Sequence, residues 1–115
     1  MIDFACKRFN IEEIIKCALG LTKAECSVFK YFFENPTENL TTERLAQKLK
    51  LNLTTVQKAV KKLNESGIII RYQKNLDKGG YIYTYEASSK KQIRQILKDI
   101  INTWAKNVGK EIDRW

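Results

Sequence analysis

Apolar residues recur at intervals of three and four along three segments in the first half of the chain, residues 11–19, 24–33 and 45–49. This spacing places them on one face of a helix, so it predicts three helices that bury those faces in a shared core. Gly20 is expected to end the first helix in the left-handed conformation that glycine adopts readily. The second helix is expected to stop at Pro36, because the residue before a proline avoids helical backbone angles.

Polar residues suited to helix capping precede two of these segments. Asn10 is followed three positions later by Glu13, and Thr22 by Glu25. In this spacing the first side chain accepts a hydrogen bond from the helix backbone, and the second can return one. The first helix is therefore expected to begin just after Asn10 and the second just after Thr22.

A fourth helix is predicted close behind the third. Residues 50–53 are too few to form anything but a turn, and Thr54 with Gln57 has the spacing of a capping box. The predicted helix runs from Thr54 to Ser66, and Gly67 is expected to close it with a left-handed cap. Two helices joined by so tight a turn are typical of a helix-turn-helix.

A β-hairpin is predicted next. Residues 68–72 are rich in β-branched and aromatic side chains, residues 77–80 contain two glycines, and residues 81–86 alternate as a second strand. Leu40 is expected to start a small strand of its own. This order of elements predicts a mainly α fold with a small β-hairpin (α+β), a winged helix-turn-helix in which the hairpin is the wing.

One long helix is predicted for residues 88–115, following a winged helix-turn-helix domain of residues 1–87 that includes an N-terminal helical extension. Its apolar residues recur over about seven turns, which is longer than one small domain needs to cover its core. An apolar stripe left beyond the domain must find a partner, and the same helix of a second copy fits best. The predicted dimer interface consists of Ile93, Leu97, Ile100, Ile101, Trp104, Val108, Ile112 and Trp115.

The net charge is +8, from 21 basic and 13 acidic residues. A surplus of this size favours a polyanionic partner, either nucleic acid or an anionic membrane, with a solvated basic surface as the alternative. No apolar run approaches the ~20 residues of a membrane span. The N-terminus lacks the apolar segment of a signal peptide, so we expect a cytoplasmic protein.

The cysteines and the absence of histidine bear on chemistry. Cys6, Cys17 and Cys26 form no Cys-x-x-Cys pair, and the chain has no histidine, so we predict neither a metal site nor a cofactor. We interpret the thiols as small buried side chains of a reduced protein, with a redox switch as the alternative. An enzyme is not favoured, because no histidine could activate a cysteine and no glycine-rich phosphate loop occurs.

The placement of charge favours nucleic acid. On the predicted fourth helix, the apolar residues from Val56 to Leu63 share one face, and basic and polar residues occupy the opposite face. Lysine amines neutralise phosphates, and threonine and glutamine near a helix start can read base edges. The wing adds further basic residues. The residues predicted from this pattern to contact double-stranded DNA are Thr54, Gln57, Lys58, Lys61, Lys62, Arg71, Lys74 and Lys78.

Tyr81, Tyr83 and Tyr85 alternate onto one face of the second wing strand. Stacking on nucleobases is one role for such a row of rings. Packing against the long helix is the interpretation we favour, because tyrosine suits a half-buried strand position.

Several motifs resemble a known group of regulators. Residues 19–25, Leu-Gly-Leu-Thr-Lys-Ala-Glu, resemble the opening of the archaeal TrmB-like regulators. Residues 41–49, 54–56 and 63–69 resemble the core that TrmB-like and MarR-like winged helices share. The resemblance implies a dimeric repressor or activator whose recognition helix, residues 54–66, enters the major groove.

Further site residues are implied by this resemblance alone. Thr41, Thr42 and Arg44 would touch phosphates, and Thr55 would face bases or backbone beside Thr54. The chain stops after the long helix, so we expect it to lack the separate sugar-binding domain of full-length TrmB-like proteins, and sensing of a small-molecule effector stays open. Two alternatives also stay open: a winged helix that binds protein, and a basic C-terminal helix on a membrane surface.

Overall fold

The structure, a computed structural model, describes residues 2–4 and 7–115. Cys6, one of the predicted buried thiols, lies outside the described residues. The first two strands form a short antiparallel hairpin that the sequence pattern did not predict. In chain order the elements are β1 (Ile2–Phe4), β2 (Lys7–Phe9), α1 (Ile11–Leu19), α2 (Lys23–Glu34), α3 (Thr42–Leu49), α4 (Leu53–Glu65), β3 (Ile69–Asn75), β4 (Tyr81–Ala87) and α5 (Lys90–Arg114).

The first two helices begin and end where the sequence predicts. The side chain of Asn10 accepts a hydrogen bond of 2.8 Å from the backbone N–H of Glu13. Thr22 and Glu25 form the complete capping box, with bonds of 2.8 and 3.2 Å in the two directions. Gly20 ends α1 with a φ of 62°, the left-handed conformation expected of it.

The start of α4 differs from the prediction. The helix begins at Leu53, and its N-cap is Asn52, whose side chain accepts a 2.8 Å hydrogen bond from the backbone N–H of Thr54. The predicted capping box of Thr54 and Gln57 was therefore wrong, and Thr54 lies inside the first turn. Lys50 ends α3 in the left-handed conformation, with a φ of 55°. Asparagine is among the strongest N-cap residues, which suits Asn52 to the start of α4.

A single core joins all five helices to the wing. α2 and α3 both pack on α4, and β3 follows α4 directly. Leu40 pairs with Tyr85 through two backbone hydrogen bonds of 2.8 and 3.0 Å, an isolated bridge of one residue where a small strand was predicted. The buried core residues are Ile15, Leu21, Val28, Phe29, Phe32, Leu40, Leu45, Val56, Ala59, Val60, Leu63, Ile68, Ile69, Ile93 and Leu97.

The wing is a regular antiparallel pair. Its register runs from Ile69 opposite Ala87 to Asn75 opposite Tyr81, so both strands extend beyond their predicted ends. The winged helix-turn-helix order and the α+β class predicted from the sequence are confirmed.

The long helix α5 has two halves with different surroundings. Ile93 and Leu97 are only 6% and 9% exposed and belong to the core of their own domain, and α5 packs on α1. Their assignment to a dimer interface was therefore wrong, because periodicity alone does not tell which partner covers a stripe. Ile100 is half-buried, and the stripe beyond it, which is exposed, consists of Ile101, Trp104, Val108, Ile112 and Trp115.

Hydrogen bonds connect Ser88, which lies between the wing and α5, to the end of α4 and the start of the wing. Ser88 is buried, its hydroxyl donates a 2.6 Å hydrogen bond to the carbonyl of Gly67, and its backbone N–H donates to Ile68. The predicted division between residues 87 and 88 therefore falls inside the packed unit. The molecule measures 62 × 25 × 24 Å. None of the helices in the described part of the chain is long and apolar enough to cross a membrane.

Candidate nucleic-acid interface

The exposed face of α4 is fixed by its buried face. Val56, Ala59, Val60 and Leu63 are at most 1% exposed, so the opposite side of the helix must face solvent. As helical spacing predicts, the exposed side chains there are those of Thr54, Gln57, Lys58 and Lys61, and the acidic Glu65 is exposed on the same side at the far end of the helix. Two hydroxyl or amide side chains and two amines thus lie along one stripe. We call these four residues the recognition stripe.

Lys62 does not belong to the recognition stripe. Its amine donates a hydrogen bond to the carbonyl of Gly20 and pairs with a carboxylate oxygen of Glu25 at 3.3 Å. It therefore joins α4 to the junction of α1 and α2, and its assignment to DNA contact is corrected. Thr55, which lies on the same edge of α4, is half-buried.

The ion pair also affects Glu25. Burial raises the pKa of this carboxyl, but the hydrogen bond from the backbone N–H of Thr22 and the amine of Lys62 outweigh burial and hold the pKa below its ordinary value. The Glu25 side chain is 12% exposed. Glu25 and Lys62 therefore form a structural contact between helices.

A groove separates α4 from the wing. It brings residues of the recognition stripe together with the start of α3 and with one face of the hairpin. Of the predicted DNA-binding residues, Thr41, Thr42, Gln57, Lys61 and Arg71 line it. The other lining residues, which the sequence analysis did not assign to DNA, are Glu43, Asn64, Glu65, Tyr81, Ile82, Tyr83 and Tyr85.

Aromatic rings hold Arg71 at this groove. The guanidinium carbon of Arg71 lies 4.4 Å from the centre of the Tyr83 ring, a distance typical of a cation–π contact. Tyr81 packs edge-on against Tyr83, with ring centres 5.3 Å apart. The interpretation that the tyrosines pack against the long helix was wrong. Alternation along β4 put the tyrosines on one face, and the register of the hairpin, in which Arg71 pairs with Tyr85, places Arg71 on that same face.

The other basic residues of the wing lie elsewhere on it. Lys74 pairs with Ile82, and its odd-numbered separation from Arg71 places it on the opposite face of the hairpin. Lys78 is exposed in the turn, where Gly79 and Gly80 have positive φ angles of 91° and 80°. The structure thus brings Arg71 to the groove, leaves Lys78 at the tip and separates Lys74 from both.

The start of α3 carries the residues implied by the family resemblance. Thr41 is the N-cap, and its hydroxyl oxygen accepts a 3.2 Å hydrogen bond from the backbone N–H of Arg44. The hydroxyl of Thr42 donates to Glu43 at 3.3 Å. The side chain of Arg44 is exposed. The start of α3 therefore places Thr41 and Thr42 in the lining of the groove, whereas Arg44 is not among its lining residues.

The cysteines differ from the expectation of buried thiols. Cys17 is exposed and Cys26 is half-buried, and burial raises the pKa of the Cys26 thiol. Within the described residues, no group of three or more cysteine, aspartate and glutamate side chains could hold a metal ion.

Comparison with known proteins places the chain in a family. Residues 9–108 match the DnaD N-terminal domain family. The chain belongs to this family. An uncharacterised protein of Methanocaldococcus jannaschii, MJ1082, is 33% identical over 104 residues, which cover 90% of this chain and 84% of that protein.

Solved structures of the same fold include two from archaea. A possible transcriptional regulator from Methanosarcina mazei is similar with a TM-score of 0.88 and 50% identity, covering 100% of this chain and 96% of that chain. The ST1889 protein from Sulfolobus tokodaii is similar with a TM-score of 0.67 and 27% identity, covering 84% of this chain and 93% of that chain. The winged-helix fold is thus confirmed, and a closer relation to TrmB-like or MarR-like regulators stays a prediction.

Proposed function

We propose that this protein is a sequence-specific regulator of transcription that binds double-stranded DNA as a homodimer, in the manner of the TrmB-like and MarR-like winged helices. Helix α4 enters the major groove, and the wing contacts the adjacent backbone or minor groove. The observation that carries the proposal is the recognition stripe, which lies beside a groove that also holds Arg71. Similarity to a possible transcriptional regulator supports it.

The side chains of this surface divide between affinity and sequence reading. Lys58 and Lys61 neutralise phosphates and release counterions, which supplies affinity that depends on salt. Gln57 and Thr54 stand nearer the start of α4, where a bidentate amide can pair with adenine. Arg71, whose guanidinium lies over the Tyr83 ring, reaches the strand of DNA that passes between α4 and the wing.

The exposed stripe of α5 supports the homodimer. Trp104 and Trp115 are 56% and 105% exposed, and tryptophans rarely stand in water without a partner. Two copies would present two recognition helices about 34 Å apart, one turn of DNA, so the operator is expected to be an inverted repeat.

A protein-binding winged helix is the second candidate. It is favoured by the outer face of the wing, where Ile70 and Tyr72 are 38% and 44% exposed. On this alternative the apolar wing face binds a component of the transcription machinery, and the recognition stripe only meets solvent.

Fluorescence anisotropy on duplex DNA over a series of salt concentrations separates the two candidates. The variant Lys58→Ala/Lys61→Ala is expected to bind more weakly and with a shallower salt dependence than the native protein. The control Lys106→Ala/Lys110→Ala removes the same charge from exposed positions of α5 and is expected to change binding little. Absent binding at low salt, or equal losses in both variants, would favour the protein-binding candidate.

A further inference from the structure

The exposed stripe of α5 has a symmetric spacing. Its members follow one another at intervals of three, four, four and three residues, which read the same in both directions from Val108. The side chains are between 36% and 105% exposed. The stripe consists of Ile101, Trp104, Val108, Ile112 and Trp115.

These side chains share a narrow face of the helix. At about 100° per residue, Ile101 and Trp115 lie about 20° to either side of Val108, and Trp104 and Ile112 about 40° to either side. The core residues of the first half, Ile93, Ile96, Leu97 and Ile100, lie on average about 70° away around the helix. Leu97 lies about 20° from Val108, so the two faces overlap there, but the buried face of the first half is centred about 70° from the exposed stripe of the second half.

We propose that this stripe pairs with the same stripe of a second copy in antiparallel direction, with the two-fold axis at Val108. The inference rests on the proposed homodimer and adds its direction and register. A two-fold interface is self-complementary, so each contact occurs twice. Val108 then faces Val108 of the second copy, Trp104 faces Ile112 of the second copy, and Ile101 faces Trp115 of the second copy.

Glu111 disfavours a parallel pair. Coiled coils alternate intervals of three and four, and continuing that alternation after Val108 places position 111 on the paired face. Glu111 occupies that position, and its side chain is 75% exposed. In a parallel pair the two Glu111 carboxylates would face each other, whereas in the antiparallel pair they lie six residues or about 9 Å apart along the axis.

The size and charge of the stripe suit a second copy. With Trp104 and Trp115 56% and 105% exposed, the four indoles of a dimer supply roughly 500–800 Å² of buried surface. The aliphatic residues bring the total near the ~1,000 Å² of a specific interface. Lys106, Lys110 and Asp113 lie about 140–160° from Val108 and stay in solvent.

Spin-label distances test the direction of the pair. A nitroxide on Lys98→Cys, in a chain carrying Cys6→Ser, Cys17→Ser and Cys26→Ala, leaves every residue of the stripe in place. Residue 98 stands ten positions before Val108, so the two labels of an antiparallel dimer are about 30 Å apart. In a parallel dimer they would lie below about 20 Å, since paired helix axes are about 10 Å apart. The shorter distance would overturn the inference.

Disulfide crosslinking tests the register. Val108→Cys in the same cysteine-free chain places two thiols on the proposed axis, within the ~4 Å between Cβ atoms that a disulfide needs. Covalent dimers are expected on oxidation, whereas the matched variant Lys106→Cys, on the opposite side of the helix, should stay monomeric on a non-reducing gel. Equal crosslinking of the two variants, or none at residue 108, overturns the register.

Light scattering on the same samples separates this inference from the proposed function. If the protein is a dimer but fails either test, the proposed homodimer stands and only its direction or register is overturned. A monomer at every concentration overturns the homodimer and this inference together. Binding of duplex DNA by the recognition stripe is measured independently by the anisotropy titration, which a wrong register leaves intact.

Discussion

Two neighbouring lysines of α4 provide a test of how the domain divides its surface. Lys61 is exposed on the recognition stripe, whereas Lys62 binds the carbonyl of Gly20 and the carboxylate of Glu25. The substitutions Lys61→Ala and Lys62→Ala remove the same side chain and charge one position apart. We expect Lys61→Ala to weaken DNA binding with little effect on stability. We expect Lys62→Ala to lower stability with little effect on DNA binding.

The size of each effect follows from the contacts. One phosphate contact contributes about −0.9 to the slope of log K against log salt, so losing Lys61 from both protomers flattens the slope by about 1.8. At 0.1 M salt this corresponds to a loss of affinity of up to about 60-fold. Lys62→Ala removes two charge-assisted contacts of a side chain that is 39% exposed. We therefore take the lower end of the usual range, about 1 kcal/mol of unfolding free energy, or a fall in Tm of roughly 4–8 °C.

Anisotropy titrations over salt and thermal denaturation measure both quantities on the same preparations. If Lys62→Ala flattened the salt slope as much as Lys61→Ala while its Tm stayed unchanged, Lys62 would belong to the DNA face. A fall in Tm confined to Lys61→Ala would refute the assignment of the recognition stripe itself.

Three further predictions test the fold. Leu97→Ala is expected to lower the unfolding free energy, measured by urea denaturation, by about 2–5 kcal/mol because it opens a core cavity. Ile101→Ala should instead weaken self-association, measured by sedimentation equilibrium. Equal losses of stability in the two variants would contradict the division of α5. Asn52→Ala should cost about 1 kcal/mol as the loss of an N-cap, and a larger loss in Thr54→Ala would make Thr54 the cap. Because the folded-state pKa of Glu25 lies below its ordinary 4.5, its charge stabilises the fold above that pH and this contribution is lost as the pH falls through the folded-state value. Glu25→Gln should therefore melt lower than the native protein at pH 7 but converge with it as the pH falls below the folded-state pKa of Glu25, and a constant difference would argue against the ion pair.

The order of elements was predictable because each signal is local. The capping box of Thr22 and Glu25 and the left-handed Gly20 depend on residues within one turn of each other. The exposed face of α4 was predictable for the same reason, since 3.6-residue periodicity separates the buried stripe from the solvent side. Even here, the N-cap is Asn52 and not the predicted Thr54, because the Asn52 side chain accepts a hydrogen bond from the backbone N–H of Thr54.

The candidate site was only partly predictable, because two elements build it. Alternation along β4 put the tyrosines on one face but did not tell what that face meets. The antiparallel register placed them beside Arg71, and the packing of the wing beside α4 placed them on the groove. Periodicity likewise put Lys62 near the solvent side of α4, and only the approach of the α1–α2 junction assigned it to Glu25.

From residue 11 onward, the sequence by itself thus determined which segments are helices and strands, where most of them begin and end, and which face of α4 is polar, since these depend on short-range backbone sterics and hydrogen bonding. The tertiary structure decided which apolar residues of α5 serve the core, which basic residues share one surface and which are already paired. Those outcomes depend on distances between segments far apart in the chain, and the same periodic stripe is compatible with burial against its own domain or against another molecule. The physical division falls within α5, between Leu97, whose side chain the core covers, and Ile101, whose side chain it leaves in water.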